Sequence, residues 1–146
     1  MGEKRVSKLS IGDISEGSIF EFDEQITSGL VDAFAEMSGD YSPLHMDAQF
    51  AKVRGFNGRV AHGGIFMLFF SKAVGMMIPG ENALLQSIKM NFLSPVYPTA
   101  DIKIVITVTA VSEAMKTLVL KGVAIGSDDT VYCRAAIQVG FTESSV

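Results

Sequence analysis

Asp40 and His45, five residues apart, are a pair whose types and spacing could move a proton. Asp40 follows Gly39, and Pro43 interrupts simple continuation of a helix, so Asp40-Tyr41-Ser42-Pro43-Leu44-His45 reads as a rigid turn presenting a carboxylate and an imidazole together. Such a pair suits proton transfer to or from water. Local sequence also allows a plainer role for Asp40, an Asx-turn over the residues that follow. Further on, Ala61-His62-Gly63-Gly64-Ile65 sets two glycines at the start of a long apolar run. This reads as a helix N-terminus whose bare backbone N–H groups could hold an oxyanion. His62 reads as a capping or packing residue at that entrance, outside the proton-transferring set. Lys52, Arg54 and Arg59 cluster around the turn Gly55-Phe56-Asn57-Gly58, either as phosphate contacts or as a solvated loop. With two histidines and no His/Cys/carboxylate grouping of metal spacing, no metal site is expected.

The elements that must position these groups follow from periodicity. Met1 to about Ser10 carry no pattern and read as a loose arm, leaving residues 11–146 as a single domain. Turns at Ile11-Gly12-Asp13 and Glu16-Gly17 lead to a short strand around Ile19 to Phe22. Thr27 or Ser28 caps a helix in which Leu30, Phe34 and Met37 recur at helical spacing and Gly39 ends the run, which delivers Asp40 to its place. Asp47 reads as the N-cap of a short helix, Ala48 to Val53. The helix from Gly63 to Met77 is apolar on every side and must be enclosed. The wrapping comes from four alternating runs: Leu84 to Phe92, with Leu84, Gln86, Ile88, Met90 and Phe92 on one face, then Ile102 to Val108, Leu118 to Ala124, and Val131 to Val139. Short connections between consecutive strands make an antiparallel sheet packed on the long helix, an α+β arrangement. The opposite sheet face keeps Val105, Val119, Val123 and Ile125, which points to burial against other elements or another subunit.

Composition bounds the function. The 146 residues are 48% hydrophobic and 19% charged, which suits one substantial core. A net charge of −4 with scattered Lys and Arg argues against a nucleic-acid partner, which needs a concentrated basic surface. Cys133, the single cysteine, sits in an alternating strand pattern and reads as a buried reduced thiol. The first residues lack the apolar segment of a secretory signal, and the Gly63 to Ile78 run is broken by Ser71 and Lys72 and closed by Pro79-Gly80, so no membrane span is expected and cytoplasmic residence is the default.

The Asp40–His45 segment resembles the D-x-N-P-x-H signature of the MaoC-like (R)-specific enoyl-CoA hydratases, and Val60-Ala61-His62-Gly63 resembles that family's approach to its central helix. The likeness runs from about Ile11 to Phe141. It implies the hot-dog fold, a homodimer, and water addition to trans-2-enoyl thioesters or the reverse dehydration. It implies Asp40 and His45 as the catalytic pair and the Gly63 N–H as donor to the thioester oxygen. Ser71 matches a serine that braces the aspartate in some members. Ser42 stands where the family usually has asparagine; it keeps a hydrogen bond but loses the amide's reach and second donor. The implied partner is an acyl-CoA or acyl-carrier thioester, with Lys52, Arg54 and Arg59 near its phosphates, and no cofactor beyond the coenzyme A of the substrate. Two alternatives keep the same site: a hot-dog thioesterase, whose water attacks the thioester carbonyl, and a non-catalytic acyl-thioester binding module.

Overall fold

Alternating apolar and polar side chains in the second half of the chain become one antiparallel sheet in the computed structural model, which describes residues 4–142. Its strands are β1 (Ile19–Ile26), β2 (Ala83–Phe92), β3 (Ala100–Ser112), β4 (Thr117–Gly126) and β5 (Val131–Phe141), in the order β1-β3-β4-β5-β2. Between β1 and β2 the chain forms α1 (Ser28–Ser38), α2 (Pro43–Met46), α3 (Ala48–Val53) and α4 (Ile65–Met76). Ile104, Ile106, Leu118, Leu120, Ile137 and Val139 line the inner face and are buried. On this face lies α4, contacting β2 and β3. Among the described residues no helix is long and apolar enough to cross a membrane.

The expectation that α4 is enclosed on all sides is corrected. Ile65, Phe66, Phe69, Phe70, Ala73 and Val74 are buried, a stripe of paired positions four residues apart. Each large side chain of this stripe contributes about 1.5–3 kcal/mol on burial. Leu68, Ser71, Lys72 and Gly75 face outward instead, and Lys72 is ion-paired with Glu24 of β1. A helix laid on one sheet needs one apolar face; the remaining apolar residues are left to solvent in the single chain.

A second correction concerns β2. Its register against β5 shifts between Leu85 and Ser87, a bulge that moves Leu84 outward to 52% exposure and turns Leu85 toward the core. One extra residue reverses every side chain on one side of it, which strict alternation does not foresee. The loose arm is also revised: Ser7 N–H bonds Met76 O at 2.9 Å, Leu9 N–H bonds Pro79 O at 3.1 Å, and Leu9 packs on the core. Residues 1–3 of that arm and 143–146 at the other end lie outside the described residues.

Gly122 shows how closely helix and sheet fit. A Cβ there would lie 2.6 Å from the ring of Phe70, which is itself 1% exposed. Gly122→Ala is therefore expected to cost about 1–3 kcal/mol through overpacking, read from the urea midpoint. Cys133 is the buried reduced thiol expected, fully enclosed, and burial pushes it up to about 11. At pH 8 it stays protonated, so a thiol reagent should label the denatured chain and leave the folded one unmodified.

Candidate active site

Local chemistry brings Asp40 to the site. Thr27 caps α1 through Leu30 N–H at 3.0 Å, and Gly39 closes it in the left-handed region at φ 76°, turning the chain sharply into Asp40. Asp40 Oδ1 then accepts Ser42 N–H at 3.1 Å, the Asx-turn, which leaves Oδ2 free. Pro43 opens α2, and Ser42 O accepts His45 N–H at 2.9 Å. The two alternatives for Asp40 are therefore one structure, because the turn made by one oxygen aims the other. Asp40 Oδ2 and His45 Nε2 lie 3.8 Å apart, the carboxylate half-exposed and the imidazole 16% exposed. Asp47 caps α3 as expected, accepting Gln49 and Phe50 N–H.

The extended segment Arg59–His62 holds this loop along its length. Arg59 Nε donates to His45 O at 2.6 Å, and Val60 N–H donates to Leu44 O at 3.1 Å. His45 Nδ1 meets Val60 O at 2.6 Å, and His62 Nε2 meets Asp40 O at 2.9 Å. A carbonyl only accepts, so Nδ1 of His45 carries hydrogen and, in the neutral ring, Nε2 offers its lone pair toward Asp40. Ala61 is the exception in the segment; its N–H bonds Val96 O at 2.8 Å and ties the loop to the β2–β3 connection.

Beside this loop lies a cavity of about 480 Å³ whose walls include His45, Val60, Gly63, Phe66, Phe92 and Val96. Gly63 and Gly64 form the turn immediately before α4, so the helix begins two residues later than expected. Among the described residues no acceptor meets the Gly63 N–H. Phe92 lies against Gly63, where a Cβ would come 2.9 Å from its ring, and Phe34 similarly excludes a side chain at Gly64. These glycines let two aromatic rings approach the backbone at the cavity wall. A larger groove of about 780 Å³ near Asp23, Asp101 and Asp129 contains none of the site residues.

The five other expected contributors take different places from those the resemblance implies. Ser71 points to solvent on the outer face of α4 and makes no hydrogen bond to Asp40. Ser42 acts through its backbone, with no cap bond from its hydroxyl. Arg59 is committed to His45 O and, at 2.5 Å, to Asp32 of α1, so it braces the loop and is not a free phosphate contact. Lys52 and Arg54 are exposed, Arg54 over the Phe50 ring, and neither lines the cavity. Two roles have no signal in the local sequence: Arg59, expected as a phosphate contact or a solvated loop residue, bonds the His45 carbonyl, and His62, expected to cap or pack at a helix entrance, bonds the Asp40 carbonyl.

His62 joins Asp40 and His45 in a group whose possible ligand atoms lie within 4.8 Å of one another, a grouping that spacing along the chain did not reveal. The rings of His45 and His62 pack against each other at a tilt, 3.9 Å between centroids and 30° between planes. His62 is 2% exposed and its Nδ1 is buried without a partner among the described residues, at a cost of about 1–3 kcal/mol.

A helix laid on a five-stranded antiparallel sheet is the hot-dog arrangement, and here a carboxylate–imidazole pair and a bare backbone N–H lie near one cavity. The chain belongs to the MaoC-like domain family, whose model matches residues 13–127. It is 28% identical over 105 residues to the (R)-specific enoyl-CoA hydratase of Aeromonas caviae, an alignment covering 72% of this chain and 78% of that one. It is 30% identical to the mitochondrial 3-hydroxyacyl-[acyl-carrier-protein] dehydratase of Arabidopsis thaliana, covering 77% of this chain and 64% of that enzyme, so it spans less than two thirds of that relative. The fold matches that of an R-hydratase from Pseudomonas aeruginosa in its unliganded form, with a TM-score of 0.87, 22% identity, and coverage of 95% and 89%.

Proposed function

We propose that the chain is a hydro-lyase that adds water to trans-2-enoyl-CoA thioesters to give (R)-3-hydroxyacyl-CoA, and that catalyses the reverse dehydration when metabolite levels favour it. One observation carries the reading: Asp40 Oδ2 and His45 Nε2 stand 3.8 Å apart, with His45 on the same cavity wall as Gly63. With Asp40 as a carboxylate and His45 as a neutral ring both atoms accept, so a water about 2.8 Å from each would donate one hydrogen to each. Its oxygen lone pairs would then be free for the β carbon.

As the water oxygen bonds to that carbon, the carbon–carbon π pair moves toward the thioester and negative charge gathers on its oxygen. Asp40 takes the water's proton while His45 orients the water, and the proton returns to the α carbon through the same pair. The Gly63 N–H would bond the enolate oxygen. The family membership and the names of the relatives support the (R)-hydratase form of this chemistry and coenzyme A as carrier. A homodimer in the cytoplasm belongs to the same proposal; Leu84, Phe92 and Leu93, all more than half exposed, are the apolar surface along β2 that a second copy would cover.

The test is loss of enoyl-thioester absorbance on adding the protein to crotonyl-CoA, with chiral analysis of the product and a parallel assay for free thiol. Formation of the (R) product without thiol is expected; rapid thiol release would mean a thioesterase. Arg59→Ala gives a further check on the site. As a brace, its loss should lower turnover about tenfold or more through misplacement of His45, with KM nearly unchanged. A selective rise in KM would instead restore the phosphate contact.

A further inference from the structure

Resting on the water-adding site just proposed, we infer that His62 is a positioning residue for it, holding the main chain of Asp40 through Nε2–H and supporting the ring of His45 from below. Three observations converge. The Nε2 nitrogen is 2.9 Å from the Asp40 carbonyl, the hydrogen bond between His62 and the loop that carries the base. The imidazole packs on the His45 ring at 3.9 Å between centroids, tilted by 30°, and Phe34 of α1 packs at 4.7 Å, so the ring is held in place by the helix that delivers Asp40. The side chain is 2% exposed, and its Nδ1 has no partner among the described residues.

Packing alone does not account for these features. An apolar ring of the same shape would fill the space without burying an unpaired acceptor, whereas an imidazole in this place supplies a donor to Asp40 that phenylalanine lacks. The hydrogen bond fixes which nitrogen carries hydrogen. His62 is the Nε2–H tautomer because it faces a carbonyl with Nε2, and His45 is the Nδ1–H tautomer because it faces Val60 O with Nδ1. The two packed imidazoles therefore hold opposite tautomers. His62 holds the backbone beneath Asp40, and His45 turns a bare nitrogen toward the Asp40 carboxylate.

The chain has two histidines, so nitrogen-15 NMR of the untagged protein, labelled in its imidazoles, reads both tautomers directly, and His62→Phe removes one set of signals and assigns the other. The expected spectrum contains one ring of each tautomer, with His62 as Nε2–H. His62 as Nδ1–H, or two rings of the same tautomer, would overturn the proposal whatever reaction the protein performs. For the second arm, His62→Phe keeps a packed ring but loses the donor; it should lower kcat on crotonyl-CoA by roughly ten- to a hundredfold with KM within about twofold of the parent. His62→Gln, which returns a side-chain N–H near the Nε2 position, should recover most of that loss. Unchanged kcat in His62→Phe, or His62→Gln no better than His62→Phe, would reduce His62 to packing and overturn the assignment. If neither variant folds, the parent spectrum still decides, because two rings of the same tautomer overturn the proposal without any assignment. If the parent turns over no enoyl thioester, the hydration reading fails, while the tautomers still test the positioning geometry.

Discussion

Asp40→Asn should lower the turnover of enoyl-thioester hydration at least about a hundredfold without unfolding the protein, because it removes the general base while keeping the turn that aims it. The asparagine oxygen can still accept Ser42 N–H as Oδ1 does now at 3.1 Å, and the Asp40 carbonyl stays bonded to His62. What is lost is the capacity to take a proton from water. His45→Ala should cost turnover by a comparable factor, with some loss of stability as well, since the ring also bonds Val60 O and packs on His62. Steady-state rates and a thermal melt on the same samples separate the two effects. Near-normal turnover in both variants would remove this pair from the chemistry.

Phe70→Ala should destabilise the fold by about 3–5 kcal/mol, enough to displace the urea midpoint far more than any surface change. The ring is 1% exposed, and it lies over Gly122 of β4 where no side chain intervenes. Its removal leaves a cavity between helix and sheet that neither backbone can readily close. A substitution at Gly122 should therefore cost less in the Phe70→Ala background than alone, because the two sites share one space. A midpoint that hardly moves would mean that α4 does not seat on the sheet through this contact.

These two predictions draw on parts of the chain that were legible to different degrees. The Asp40–His45 pair could be read because its geometry is local: Gly39 ends a helix, Asp40 makes an Asx-turn, Pro43 starts one helical turn, and five residues bring the two groups together. Asp47 and Thr27 could be read as caps for the same reason. Alternation gave the strands, and the apolar run before them gave the helix they pack on. Arg59 and His62 were not legible, since their partners lie 14 to 27 residues away in the chain and a charge pattern or a glycine pair says nothing about a distant carbonyl. The bulge in β2 escaped because alternation assumes an unbroken ladder, and the seating of Ser7 and Leu9 because it depends on backbone hydrogen bonds that no side-chain pattern reports.

Function followed the same division. The acid–base pair and the glycine turn suggested the chemistry. The three-dimensional structure adds the means by which they are held: a four-residue segment, Arg59–His62, that bonds the Asp40–His45 loop at His45, Leu44 and Asp40 and anchors itself to Val96. A side-chain pair 3.8 Å apart is useful only if its separation is kept during turnover, and this segment supplies that constraint.

The most direct test of the central claim is to run the reaction in oxygen-18 water with crotonyl-CoA and locate the label by mass spectrometry. The account predicts one labelled oxygen at the third carbon of an intact (R)-3-hydroxybutyryl thioester, with the label nearly absent in Asp40→Asn over the same interval. Label in a free carboxylate, accompanied by released coenzyme A, would contradict it and show that the water held by Asp40 and His45 attacks the thioester carbonyl.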